Sequence, residues 1–463
     1  MAEYRIDGNK WIADFKIGTA ANSDAGDPWS KVAIRAMNIE ENIFEPFSRG
    51  SVTLIDPANL IEDGFLTRGD GDDTVSLTFY PKPDSPGDDP GIKGDFKFVI
   101  NGESNSVSKA DRLNNLKTYE LLDANYFKLN EPIPYGERFR GLIGDILLRI
   151  FKKFDIPVAD KEAMKTAEHW SPGAHEIDIF PEHILPPTSF RYSDLVKYLV
   201  KINYNNVDGV YVRSMLYWDR ALMKYVFRPM TKIYENSFDT CDEGFVAAEA
   251  SSIDATGTTN INNTGAEENI NVISQLHSTG LTTPMLTYSN TYFMNFLVSG
   301  YDPQLGEHGL REIRIEDVKD KWNEKFIKDK FPVIGGAPKP FMPLNTAKKQ
   351  ELFRTFSLPF QLDKVAKLAE AEMIGNMTFY NMELTLHQLG DVARRVGMFI
   401  DIMNLAEASN TDAKLCGRWL VTKCTHEFVN NGYYNTLFCT KIYTGPGAKE
   451  HSKVYNINKE IEK

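Results

Sequence analysis

The sequence predicts an α+β fold dominated by strands, with sheets near both ends and helical or irregular segments between them. Three observations carry this. Short alternating apolar runs, separated by Gly, Pro and Asp, fill residues 1 to 130 and return between 378 and 443. One unbroken helical stripe lies between them, at 139–154. Aromatic residues, 28 Phe and 20 Tyr in 463, favour sheets and buried interfaces over disorder. A chain of this length divides into about two to four domains.

In the first 130 residues strands are predicted at Trp11–Gly18, Lys31–Met37, Gly50–Asp56, Thr74–Tyr80 and Asp95–Asn101, followed by a ribbon over Lys117–Phe127. Such a series suggests a barrel or sandwich. The stretch NIEENIFEPFSRGSVTLID, Asn38–Asp56, organises it. Ile39, Ile43 and Phe44 fall at helical spacing and Pro46 stops the turn. Phe44 and Phe47 then form a plug that needs a pocket, with Gly50 at the joint into the strand. PKPDSPGDDPG, Pro81–Gly91, reads as a hairpin tip. GDGDD, Gly69–Asp73, lacks the distal Glu of a calcium loop and reads as a solvated turn.

From Phe139 apolar residues recur at 142, 143, 146, 147, 150, 151 and 154, a helix closed by Ile156-Pro157. His169, His175 and His183 follow in a Pro-rich connection whose spacing fits no zinc pattern, so they are read as solvated or capping. Ser193 is read as the cap of a second helix, and Asp219-Arg220-Ala221 as the turn between strands Val210–Trp218 and Met223–Pro229. Residues 236–275 are polar and read as a long loop. A strand at Met285–Val298, a helix at Glu312–Lys330 and a Pro-rich linker at Gly335–Leu344 come next. Asp363 is expected to cap a helix that Gly375 ends.

The C-terminal strands are predicted at Thr378–His387, Gly397–Met403 and in a hairpin from Arg418 to Tyr443. Asn431-Gly432 suits a type I′ turn. Counting back from it sets Cys424 opposite Cys439 as free thiols, Cα atoms roughly 5.5 Å apart. One hairpin face carries Leu420, Cys424, Phe428, Tyr433 and Leu437, the other Trp419, Val421, Tyr434, Phe438 and Ile442. A sheet apolar on both sides needs a core on one and a partner on the other.

Composition limits the chemistry. A formal net charge of −12 argues against a protein that grips nucleic-acid phosphates. Four uneven Cys, at 241, 416, 424 and 439, fit a reduced site of synthesis rather than a disulfide framework. The start, MAEYRIDGNKW, lacks a basic patch followed by an apolar core, and no apolar run approaches membrane-spanning length. There is no serine-hydrolase elbow, zincin motif, Walker loop or dinucleotide fingerprint. Cys416, Cys424, His426 and Cys439 invite a zinc reading, but without a Cys-x-x-Cys knuckle no metal is expected. Glu307 or Glu312, beside His308, is the least poor glycosidase candidate and reads as a solvated face. No catalytic residue, metal or cofactor is expected, and no enzymic activity.

Two motifs carry a family resemblance. The turn-plus-strand Ile39–Val52 with its following Leu-Ile-Asp resembles the first domain of baseplate central hub proteins of contractile-tailed bacteriophages, a family related to the hub part of type VI secretion spikes. LCGRWLVTKCTHEFVNNGYYNTLFCTKIY, Leu415–Tyr443, is similar to the last hairpin of the second hub barrel, with Gly417, His426, the Asn430–Gly432 turn, Tyr433 or Tyr434, and Phe438 in place. Phe190–Tyr234 resembles the start of the same barrel, whereas the chain departs from the family pattern in its long 236–345 segment and in the Gly-Asp step between barrel strands, here Gly390-Asp391 followed by VARRVG. The resemblance implies two tube-like β-barrel domains plus helical and irregular insertions. On this reading 1–130 is the first barrel, 131–205 an α-rich connecting domain and 206–235 the start of the second barrel. Residues 236–375 are a peripheral insertion, 376–444 the rest of the second barrel and 445–463 a C-terminal arm.

The implied function is a structural symmetry adaptor in a virion tail, assembled in the bacterial host cytoplasm. A homotrimeric ring of six-fold pseudo-symmetry would join a spike protein to the tail tube protein, touching baseplate wedge and tape-measure proteins. DNA would pass through its lumen without specific binding, and no membrane would be bound. Phe44, Pro46, Phe47, Gly50, Trp419, Tyr434 and Phe438 would supply interfaces. The alternatives are a cell-wall-binding or peptidoglycan-degrading tail protein, or the hub of a type VI or bacteriocin-like injector.

Overall fold

The computed structural model of the chain describes residues 2–7, 11–17, 33–55, 74–81, 94–106, 116–159, 170–185, 190–207, 209–235, 241–247, 250–253, 259–261, 272–279, 295–304, 306–314, 317–318, 321, 353–379, 382–403, 417–429 and 432–441. Over these the class is α+β with barrel-like sheets.

Seven strands open the chain: β1 (Ala2–Asp7), β2 (Trp11–Ile17), β3 (Ala33–Asn42), β4 (Arg49–Ile55), β5 (Thr74–Pro81), β6 (Gly94–Ser106) and β7 (Leu116–Asp123). They pair antiparallel in the order β1-β2-β5-β6-β7-β4-β3, and β1 comes round to lie beside β3. Inward positions alternate with period two: Val52 and Leu54, then Val75, Leu77 and Phe79, then Tyr119 and Leu121. The helical spacing at Ile39, Ile43 and Phe44 is overridden. Residues 38–42 are strand, because both edges of β3 are hydrogen-bonded, one to β4 and one to residues 423–427. Two occupied ladders outweigh a weak helical preference.

The middle is helical with short hairpins. It holds α1 (Ala124–Lys128), β8 (Phe139–Leu142), α2 (Ile143–Lys153), β9 (Glu176–Ile179), α3 (Tyr192–Lys201), β10 (Asn205–Val207), β11 (Val210–Val212), β12 (Ser214–Asp219), β13 (Lys224–Pro229) and α4 (Met230–Glu235). The ribbon predicted to Phe127 ends at Asp123, whose carboxylate accepts the Asn125 N–H at 2.7 Å and caps α1. The helix predicted from Phe139 begins four residues later, since Phe139–Leu142 pair with β9. Its stripe is otherwise as read: Ile143, Ile146, Leu147, Ile150 and Phe151 are buried. Ser193 is not a cap; Arg191 holds that position, and Ser193 is buried in the first turn of α3. His175 is not solvated: it is buried, its ring stacked 4.3 Å from Tyr204. His169 lies outside the described residues.

The stretch read as a loop at 236–275 contains four strands, β14 (Cys241–Ala247), β15 (Ala250–Ile253), β16 (Thr259–Ile261) and β17 (Val272–Thr279). A separate sheet, ordered β19-β18-β20, uses β18 (Asn295–Asp302), β19 (Glu307–Ile313) and β20 (Phe353–Gln361), and packs on α5 (Leu362–Phe379). Glu312 and Ile313 are thus strand, and the helix predicted from Glu312 shows helical backbone only at 317, 318 and 321 among the described residues. Gly375 does not end its helix; α5 runs on to Phe379. The predicted 82–91 hairpin tip, Gly69–Asp73 turn, Gly335–Leu344 linker and 445–463 arm lie outside the described residues.

The last strands are β21 (Met382–Leu389), β22 (Phe399–Met403), β23 (Gly417–Val429) and β24 (Gly432–Lys441). They complete a circuit, β14-β22-β23-β24-β21-β17 and back to β14, that closes a six-stranded barrel. The hairpin register differs from the count made on the sequence. Val429 pairs with Gly432, so the turn is one residue earlier, and a bulge between Val421 and Lys423 shifts the pairing again. Cys424 therefore faces Leu437 and Cys439 faces Val421; both thiols are free and buried.

At Gly144 a methyl group would sit 1.9 Å from the Ser171 carbonyl oxygen. Gly144→Ala should destabilise the fold by about 1–3 kcal/mol or more, read as a lower unfolding midpoint in denaturant. An unchanged midpoint would contradict this packing.

Candidate functional site

The inward alternation of β3 runs Met37, Ile39, Glu41 and continues into buried Ile43 just past the strand, so a carboxylate occupies a core position at 2% exposure. Glu41 pairs in register with Cys424 of β23. Two residues along β23, His426 is fully buried, facing Asn435 across the β23–β24 hairpin. The turn after β12 inserts Arg220, and the 390–398 segment contributes Arg394, also fully buried. Four pieces of chain thus converge on one buried polar cluster.

The geometry fixes the protonation states. Arg220 Nε lies 2.8 Å from Glu41 Oε1, Nη1 donates to the Val392 carbonyl at 2.9 Å, and Nη2 donates to the Arg394 carbonyl. His426 Nδ1 lies 3.0 Å from the Asn435 amide nitrogen and 2.7 Å from the Tyr433 hydroxyl. An amide nitrogen only donates, so Nδ1 accepts and Nε2 carries the proton, donating to Glu41 Oε2 at 3.2 Å; Arg220 Nη2, a donor 3.4 Å from Nε2, then makes no hydrogen bond to it. Burial works to raise the Glu41 carboxyl, but Arg220 and His426 outweigh it and hold it below the ordinary value. Burial depresses His426 to about 4 despite Glu41, so the imidazole is neutral at pH 7. Phe79 and Phe96 close the cluster, their centroids 5.1 and 6.1 Å from the His426 ring.

Glu41, Cys424 and His426 are grouped as metal ligands would be, with Cys424 Sγ 3.5 Å from His426 Nε2. They do not fit a metal well. The Arg220 guanidinium already supplies the positive charge, and burial pushes the Cys424 thiol up, keeping it protonated. Cys439 is not among these three ligands, and Cys416 lies outside the described residues. Glu307 and Glu312, five residues apart on the exposed strand β19, point to opposite faces and do not flank a shared cleft.

The seven residues expected at interfaces divide. Phe47 packs on Tyr126 and Tyr225, at 5.1 and 5.9 Å, and Trp419 is fully buried, so both serve the chain's own core. Pro46 is buried as well. Gly50 sits in β4, where a methyl group would come 3.0 Å from the Asn38 carbonyl. Tyr434 and Phe438 are half-buried on the outer barrel face, against His387 and Lys423. Phe44 is exposed at 38%. It stands at the mouth of a groove of about 920 Å³ between the Phe44–Ser51 segment and α3. The sequence reading missed Glu41, Arg220 and Arg394. Glu41 was findable, because a strand reading of 37–43 puts one acid on an apolar face.

Glu41→Leu or Arg220→Met alone should each cost about 3–5 kcal/mol, since either strands a buried charge. The double variant should cost clearly less than the sum in a denaturant-unfolding cycle; additive losses would mean that the pair is not coupled. His175, buried beside Lys364 and Lys367, is depressed to about 4. Between its unfolded value near 6.5 and about 4 only the unfolded chain binds that proton, so stability falls as pH drops through this window. Asp123, raised by burial to about 6, has the opposite sign: its contribution is present below 3.8 and is lost as pH rises to 6. Comparison with His175→Phe isolates the imidazole. The variant's Tm should gain on the wild type from pH 7 to pH 4, and parallel curves would refute the assignment.

No protein-family model and no curated protein matches the sequence. Among solved structures, the chain is similar to the tail protein from Neisseria meningitidis MC58, with TM-score 0.47 and 10% identity over 90% of this chain and 98% of that one. It is similar also to the prophage MuSo2 43 kDa tail protein from Shewanella oneidensis, at TM-score 0.43 and 9% identity, covering 88% and 92%. A third is the E. coli c3393 protein, a component of the type VI secretion system, at TM-score 0.38 and 9% identity, covering 93% and 76%.

Proposed function

We propose that this chain is a structural hub protein of a contractile tail, a homotrimeric ring of six-fold pseudo-symmetry joining a three-fold spike to a six-fold tail tube. The observation that supports this is the presence of two barrel-like β units in one polypeptide, fused through a shared strand. Three such chains around an axis would bring six tube-like units into one ring. Fusion through hydrogen bonds makes each pair a rigid body, which a symmetry adaptor needs. Its site of action would be the virion tail, with spike, tube, wedge and tape-measure proteins as neighbours. The net charge of −12 would let DNA pass without adhering. The buried cluster serves as a structural lock in this reading, and no enzymic role is proposed.

Native mass spectrometry of the purified chain, alone and with a three-fold spike protein, tests this. Three copies per particle, with a ring visible by negative-stain microscopy, is the expected result. A monomer, a dimer or a ring of another number, persisting with spike present, would overturn the proposal.

A further inference from the structure

The groove beside Phe44 has a charge opposite to that of the chain. Five cations line it, Arg49, Arg191, Lys197, Lys201 and Arg213, against two carboxylates, Glu45 and Glu120, in a protein of net charge −12. Two of the cations have acidic partners: Arg49 pairs with Glu45 at 3.1 Å and Arg213 with Glu372 at 2.7 Å. The other three belong to α3 and its N-cap. Arg191 donates to the neutral Asn130 amide oxygen at 2.6 Å, and Lys197 lies over the Tyr126 ring at 4.5 Å. Among the described residues, no carboxylate pairs with Arg191, Lys197 or Lys201.

The remaining walls suit a polypeptide. Phe44, Pro46 and Tyr126 give an apolar side, and Glu120 and Asn101 lie on the sheet face below. The turn bearing Phe44 is fixed before any ligand arrives. Ile43 N–H donates to the Thr422 carbonyl at 2.8 Å, Phe44 N–H to Asn42 Oδ1 at 3.0 Å, and Glu45 N–H to the Asn42 carbonyl at 3.2 Å. From Arg191 to Lys201 the helix spans about 15 Å, the length of roughly five extended residues. Three cations over that length, beside an aromatic edge, match carboxylates interleaved with an apolar side chain. A nucleic acid fits less well, because Glu45 and Glu120 lie on the same walls and the whole chain repels a polyanion.

We infer that this groove docks an acidic, extended segment of a partner polypeptide, its carboxylates on Arg191, Lys197 and Lys201 and an apolar side chain against Phe44 and Tyr126. The inference rests on the groove alone and not on the hub reading, so a particle of the wrong copy number leaves it standing.

The probe is a fluorescein-labelled seven-residue peptide, Asp-Glu-Phe-Asp-Glu-Leu-Asp, titrated with the full chain and read by fluorescence anisotropy. Its Asn/Gln counterpart and a labelled duplex DNA serve as comparisons. Saturable binding that weakens with salt is expected, with about a tenfold loss in Lys197→Glu/Lys201→Glu and a smaller one in Phe44→Ala. All these positions line the groove, and circular dichroism of each variant is the check that it folds. No binding of the acidic peptide, equal binding of the Asn/Gln peptide, or an affinity unchanged by charge reversal would each overturn the inference. Tighter binding of DNA, lost in the same variant, would overturn it in favour of a nucleic-acid groove.

Discussion

Strand β23 belongs to two sheets at once, and the rest of the molecule is built around that constraint. Along one edge its first residues, 417–420, pair with β22 and help to close the second barrel, while residues 423–429 of that strand pair with β3 of the first sheet. β24 runs along the other edge. The bulge between Val421 and Lys423 lies where the partner changes, and the Thr422 carbonyl accepts the Ile43 N–H as β3 ends. An extra residue sharpens the local twist, which lets one strand leave one curved sheet and enter another without breaking hydrogen bonds. The two β units therefore cannot hinge freely: separating them exposes seven residues of ladder on each side.

The buried ion pair beside this strand follows from the same geometry. Burying Glu41 and Arg220 carries a desolvation cost of several kcal/mol per ion, so it is a poor source of stability by itself. Its effect is specificity. A β3 shifted by one residue would turn Glu41 to the other face, leaving Arg220 without its counter-charge and the His426 Nε2–H without its acceptor. The carboxylate acts as a register pin where four chain segments converge. Gly390 is tied to this point too: a methyl group there would lie 2.1 Å from the Tyr433 ring, whose hydroxyl meets His426.

Junction and groove are two ends of one turn. Ile43 enters the second-barrel core, Phe47 enters the helical core through Tyr126 and Tyr225, and Phe44 between them remains at the surface. The nine residues Asn42–Gly50 thereby tie the helical unit to both sheets while holding one aromatic at the edge of a basic groove. A rigid support behind a partly exposed aromatic lowers the ordering cost of any contact it makes.

Much of the fold was determined by local pattern. Period-two alternation located β2, β4, β5 and the β23–β24 hairpin, and the 3.6-residue stripe located α2, because each is a property of a few adjacent residues. Pairing decided the rest. Asn38–Asn42 became strand through two neighbours distant in sequence, the polar 241–279 region became staves of a barrel that four other strands close, and a one-residue shift plus a bulge separated Cys424 from Cys439. The charge cluster was out of reach for the same reason. Glu41 and His426 are 385 residues apart; the β3–β23 ladder brings the carboxylate and the imidazole together, and the turn after β12 adds the Arg220 guanidinium to the same buried space, where their charges interact strongly.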